Sequence, residues 1–95
     1  MVEENTDVDA VLEERGTNYG SFEGTAGVAQ EVKAIISKHL YARGKTLRVD
    51  QQEALDLIAT KLGRIVNGDP DYVDNWIDIA GYAKLVADRL EGRSR

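Results

Sequence analysis

Two carboxylates, Asp74 and Asp78, stand one helical turn apart in the run DPDYVDNWIDIAGYAKLV, residues 69–86. Four helix steps turn about 40°, so both lie on one stripe. Like charges at this spacing cost a bare helix a few tenths of a kcal/mol, so a cation is expected to offset them. One reading is Mg²⁺, held typically by one or two carboxylates together with phosphate oxygens. Another is Lys61 and Arg64 from the neighbouring helix, in a shared cleft. A third, purely structural, has Asp74 serving the helix dipole and Asp78 pairing with Arg64. Glu53 and Asp56 form an E-x-x-D pair. Glu53 is read first as the third helical residue of a capping box and second as a metal ligand.

Positive charge gathers in the middle of the chain at Arg43, Lys45, Arg48, Lys61 and Arg64. Arginine offers two parallel donors to a phosphate, so Lys61 and Arg64 are candidate phosphate ligands. The plain alternative is solvated surface cations. Tyr19 in the loop NYGSF and Tyr82 on the last helix are candidates to stack on a base, whereas Phe22 is expected to plug the loop onto the core. His39, the single histidine, is expected to be structural. No Ser–His–Asp spacing supports nucleophilic catalysis. No phosphate-binding glycine motif follows a strand.

The elements that must position these residues read as helices. Thr6 and Asp9 have capping-box spacing before a short N-terminal helix that Gly16 stops. A glycine-rich loop, GTNYGSFEG (16–24), follows, and Ser21 is the cap of a second helix over about 22–43. Val28, Val32, Ile35, Ile36 and Leu40 give it an apolar face, and Gly44 ends it. Asp50 to Glu53 repeats the capping-box pattern before a third helix with Leu55, Ile58, Leu62, Ile65 and Val66 on one face. Gly68 stops it. Asp69 caps the last helix and Pro70 takes its first position. Tyr72, Trp76, Ile79, Ala80, Ala83, Val86 and Leu90 form its apolar stripe. Opposite lie Asp74, Asp78, Gly81 and Leu85, matched on the third helix by Glu53, Leu57, Thr60, Lys61 and Arg64. Leu57 and Leu85 imply that these outer faces are partly covered. The short NGDP connection should set the third and last helices side by side and antiparallel.

The expectation is a single all-α domain over residues 1–95: a small bundle of three main helices plus a short N-terminal one, frayed at 1–5 and 91–95. With 95 residues the chain buries little surface alone, so a homo-oligomer is expected to complete the bundle. There is no cysteine, which excludes disulfides and thiolate metal sites and fits a reducing cytosol. The net charge of −5 argues against bulk DNA or RNA binding. No apolar run reaches membrane-spanning length, and a cytoplasmic location is expected.

The motifs Y-G-S-F, K-x-x-R-I-x-N-G-D and D-N-W-x-D-x-x-G-Y make the chain, from about Val11 to Leu90, resemble a family of small phage and prophage proteins of unknown function. More distantly, K-x-x-R followed by D-x-x-x-D-x-x-x-Y resembles the phage nucleotide-modification-associated domain, itself similar to the MazG-like nucleoside triphosphate pyrophosphohydrolases. That resemblance implies a Mg²⁺ site built from two acidic helix motifs acting on a nucleotide. Glu53 and Asp56 would stand for the first motif, and Asp74 and Asp78 for the second. The second is D-x-x-x-D where the relatives have E-x-x-D, and misplacing ligands by about an ångström can cost about 100-fold in rate. The resemblance therefore speaks for nucleotide handling more than for hydrolysis. Three functions follow as expectations. The first is a phage-encoded nucleotide-handling protein, with or without Mg²⁺-dependent release of pyrophosphate. The second is a non-catalytic oligomer that sequesters a host defence nucleotide. The third is an interaction module for a host protein.

Overall fold

A computed structural model of the chain describes residues 2–93, with side chains from Asp7 onward. Four helices follow one another: α1 (Val2–Tyr19), α2 (Phe22–Ala42), α3 (Val49–Asn67) and α4 (Val73–Leu90). Among the described residues there is no strand, so the all-α expectation holds. The fraying expected at Met1 and at 94–95 lies outside the described residues.

The helix ends differ from the sequence reading in instructive ways. α1 begins before Thr6 and runs through Gly16, so neither the Thr6–Asp9 box nor the glycine stop operates. The chain breaks instead at Gly20, with φ +78°, whose N–H donates to the Gly16 carbonyl at 2.9 Å. One glycine in an exposed helix costs only about 1 kcal/mol, which its neighbours can offset. Ser21 caps α2 as expected: its hydroxyl accepts from the Gly24 N–H at 3.0 Å. Gly44, at φ +62°, ends α2 in the left-handed region.

α3 starts before Asp50. The Gln51 side-chain oxygen accepts from the Arg48 N–H at 2.9 Å, so Glu53 is not the capping residue. α4 starts at Val73 and not at Pro70. The Asp69 carboxylate closes a turn by accepting from the Asp71 N–H at 2.9 Å, and the Pro70 carbonyl accepts from the Trp76 indole N–H at 2.9 Å.

α3 is the central element, with α2 packed on one flank and α4 on the other. Among the described residues α2 and α4 do not pack on each other. The α2–α3 contact is close because its residues are small: Thr25, Ala29, Ala59 and Gly63 are all buried. A Cβ on Gly63 would lie 2.6 Å from the Thr25 carbonyl oxygen. α4 runs antiparallel to α3 and is clasped to it by two ion pairs. Arg89 donates from Nε and Nη2 to the two oxygens of Asp50, both at 2.8 Å. Lys61 Nζ lies 2.8 Å from Asp78 Oδ2. The register agrees, since 61 − 50 and 89 − 78 are both 11 residues.

These clasps set the rotation of α4. Asn75, Asp78, Tyr82, Val86 and Arg89 face α3, and Asn75 is only 1% exposed. Trp76, expected in the core, is 52% exposed, and Ala80, Ala83 and Leu90 are exposed with it. Of the expected apolar stripe, Val86 meets α3 and Tyr72 meets Tyr19, while Trp76, Ala80, Ala83 and Leu90 are left uncovered among the described residues.

Candidate functional site

The turn between α1 and α2 is locked onto the end of α3. The Asn67 amide donates to the Tyr19 carbonyl (3.3 Å), the Ser21 carbonyl (2.9 Å) and the Thr25 hydroxyl (3.4 Å). The Thr25 hydroxyl in turn donates to the Tyr19 carbonyl at 3.1 Å, and the Asp69 N–H donates to the Asn18 carbonyl at 2.9 Å. A Cβ at Gly20 or Gly24 would run into Asn67, and one at Gly68 into the Tyr19 backbone. The glycines of Y-G-S-F and N-G-D therefore meet in space, as two halves of one latch.

That latch presents Tyr19. The Arg64 guanidinium carbon sits 4.2 Å from the Tyr19 ring centroid, a cation–π stack. Tyr72 packs edge-on against the same ring, with centroids 5.7 Å apart at 71°. A hydrogen bond to the Asp74 carboxylate holds the proton on the Tyr72 hydroxyl and raises that phenol above its ordinary pKa, and the phenolate would also face a second negative charge. Beside Tyr19 and Arg64 an open hollow of about 390 Å³ is walled by the end of α1, the Gly20–Phe22 turn and α3. Leu12, Arg15, Phe22 and Thr60 also line it. Among the described residues neither Arg15 nor Arg64 has a carboxylate partner. The hollow thus combines two uncompensated guanidinium groups with aromatic surface.

Phe22 is not the expected plug. It is 87% exposed, because Ser21 caps the helix and turns the first side chain outward. His39, expected to be structural, is exposed, and Arg43 Nη1 lies 2.9 Å from its Nδ1.

Of the four residues expected to bind a nucleotide, the structure brings Arg64 and Tyr19 together and places the other two elsewhere. Lys61 is spent on Asp78, with its side chain 12% exposed. Tyr82 lines the groove between α3 and α4 with Glu53, Leu57 and Leu85. That groove accounts for Leu57, which is partly covered within the chain. Of the cations expected to offset Asp78, Lys61 does so, and Arg64, the partner in the purely structural reading, turns to Tyr19 instead.

The metal candidates do not converge. Glu53 precedes Lys61 by eight residues, about 12 Å along a helix, so Glu53 and the Lys61–Asp78 pair occupy different stretches of the groove. Asp74 is exposed beside Tyr72. Among the described residues no three Asp, Glu or His side chains are placed to hold one ion. The donor set of Asp74, Asp78 and Glu53 in one chain does not fit a single Mg²⁺.

Residues 5–90 match a family described as Domain of unknown function (DUF6378). The chain belongs to that family. No curated protein and no solved structure matches it. Both the latch and the hollow lie wholly inside the stretch matched to DUF6378. Two lining residues, Arg15 and Phe22, were not singled out as ligands from the sequence. The available signal for Arg15 was its place one turn before Tyr19 on a helix that the reading stopped too early. Asn67 was legible only as the first residue of the N-G-D motif, which does not say that its side chain holds the Tyr19–Thr25 turn.

Proposed function

We propose that this chain is a nucleotide-binding protein, of phage origin and distantly MazG-like, whose ligand occupies the hollow beside Tyr19. The observation that carries this reading is the Arg64 guanidinium stacked on Tyr19, with Arg15 nearby and, among the described residues, no carboxylate paired with either. Two free guanidinium groups suit a phosphate or diphosphate, through bidentate donation. Tyr19 and the exposed Phe22 ring offer faces on which a base can stack, each such contact being worth about 1–3 kcal/mol. The motif resemblance to phage nucleotide-modification proteins supports the same ligand class.

Binding without hydrolysis is the form we favour. Asp78 is engaged with Lys61, and Glu53 stands two turns away, so the acidic motifs do not assemble beside the hollow. Isothermal titration with inorganic phosphate, nucleoside mono- and triphosphates and cyclic dinucleotides, with and without Mg²⁺, tests it. At least one nucleotide should bind, should be recovered unchanged after denaturation, and should lose at least tenfold in affinity in Arg64→Ala. Absence of binding across the panel sinks the proposal. Release of pyrophosphate would overturn the non-catalytic form and restore a Mg²⁺ role for Asp74, Asp78 and Glu53.

A further inference from the structure

The row of helices α2–α3–α4 has two sides of opposite chemistry. Toward α1 and the hollow, α3 turns Glu53, Thr60 and Arg64. On the other side it turns Leu55, Ile58, Leu62, Ile65 and Val66, at helical spacing and without a charge among them. Leu55, Ile58, Ala83 and Val86 line one furrow there, about 340 Å³ in volume. Trp76, seven residues before Ala83, continues the same stripe along α4. Val66, in the last turn of α3, is 71% exposed, and Leu62 is 36% exposed.

We infer that this uncharged face is where a second copy of the chain docks, giving a two-layer helical dimer. A domain needs two packed layers around one core, and over this face the chain supplies only one. The buried apolar side chains among the described residues are three alanines, Ala29, Ala54 and Ala59. A folded monomer of 10.5 kDa should expose about 5,400 Å². This chain exposes 7073 Å². The excess, about 1,600 Å², is shared between this face and the exposed residues 7–17 of α1, and half of it matches the ~800 Å² that each partner buries in a standard interface. The radius of gyration is 16.1 Å, where about 12 Å is usual for 95 residues. A second copy fits better than a charged partner. The chain carries −5, and a face free of charge is where two copies can meet with least repulsion. A two-fold axis through α3 would set each leucine and isoleucine row against its own equivalent.

The full chain should sediment at twice its mass at 50 μM, whether or not nucleotide binds. Leu62→Glu with Val66→Glu should give a monomer, while Leu85→Glu, on the opposite side, should remain a dimer. Trp76 is the only tryptophan, so its emission gives a second readout on the unmodified chain, valid even if the double variant fails to fold. On dilution, emission should shift to the red together with the fall in mass. A monomeric native chain, a mass above two chains, a mass change without an emission shift, or dissociation by Leu85→Glu alone would each overturn the inference. A monomer that instead binds lipid vesicles or a host protein through the face would name a different occupant.

Discussion

Asn67 shows how much one side chain at a helix end can hold. It closes three hydrogen bonds to the Tyr19–Thr25 turn, and its atoms fill the space a side chain at Gly24 would need. Alanine favours a helix by up to about 1 kcal/mol over glycine, so Gly24→Ala carries two opposed effects. With Asn67 present the collision should win, and the urea midpoint should fall. In the Asn67→Ala background the space opens, and Gly24→Ala should become neutral or stabilising. Gly20→Ala should destabilise in both backgrounds by about 1–3 kcal/mol, because its φ of +78° strains any other residue and its Cβ would meet the Asn67 backbone. A cycle of urea denaturations on the wild type, Gly24→Ala, Asn67→Ala and the double variant measures the reversal of sign. Asn75 poses the converse case. It is buried, and neither amide atom has a hydrogen-bond partner within the described chain. An unpaired buried amide costs about 1–3 kcal/mol, so Asn75→Leu should leave stability unchanged or raise it. A fall of more than about 1 kcal/mol would show that the amide holds a bound water or ligand group.

At the scale of elements, the helical stripes were readable and their rotation was not. The spacing of Leu55, Ile58, Leu62 and Ile65, or of Trp76, Ala83 and Leu90, states which residues share a face. It does not say whether that face meets a helix of the same chain. The polar stripe was read as opposite the apolar one and turned into a cleft with Lys61 and Arg64; Asp78 does meet Lys61 between the facing helices, whereas Asp74 is exposed and Arg64 stacks on Tyr19. The Asp50–Arg89 clasp carries a pH signature that belongs to this pair of helices. Donation from Arg89 holds the Asp50 carboxyl below its ordinary range and raises Arg89. For a carboxyl depressed in the folded state, the stabilisation is complete above the unfolded pKa of about 3.9 and is lost as pH falls through the folded value. Stability of the wild-type chain should therefore decline between about pH 4.5 and 3. Asp50→Asn should start lower at pH 7 and decline less steeply over that window, as followed by helical circular dichroism during thermal melts. Equal slopes in the two proteins would mean that the clasp is not formed in solution.

For the whole molecule, the fold class was readable because composition and period leave no alternative to helices. The candidate site was half readable, since Arg64 and Tyr19 are brought together by a latch that no local pattern encodes. The least readable feature was the open apolar face, because its cover lies outside the single chain. If a second copy supplies that cover, folding and association are one equilibrium, and stability depends on concentration by mass action. Each tenfold rise in chain concentration then adds RT ln 10, about 1.4 kcal/mol per dimer or 0.7 kcal/mol per chain. For a domain of this size 1 kcal/mol moves the midpoint by about 4–8 °C, so the Tm should rise by about 3–6 °C per decade. Melts at 2, 20 and 200 μM would measure it. A midpoint independent of concentration over that range would place all the stabilising contacts within one chain, and the exposed Trp76, Val66 and Leu90 would then be left for some other partner.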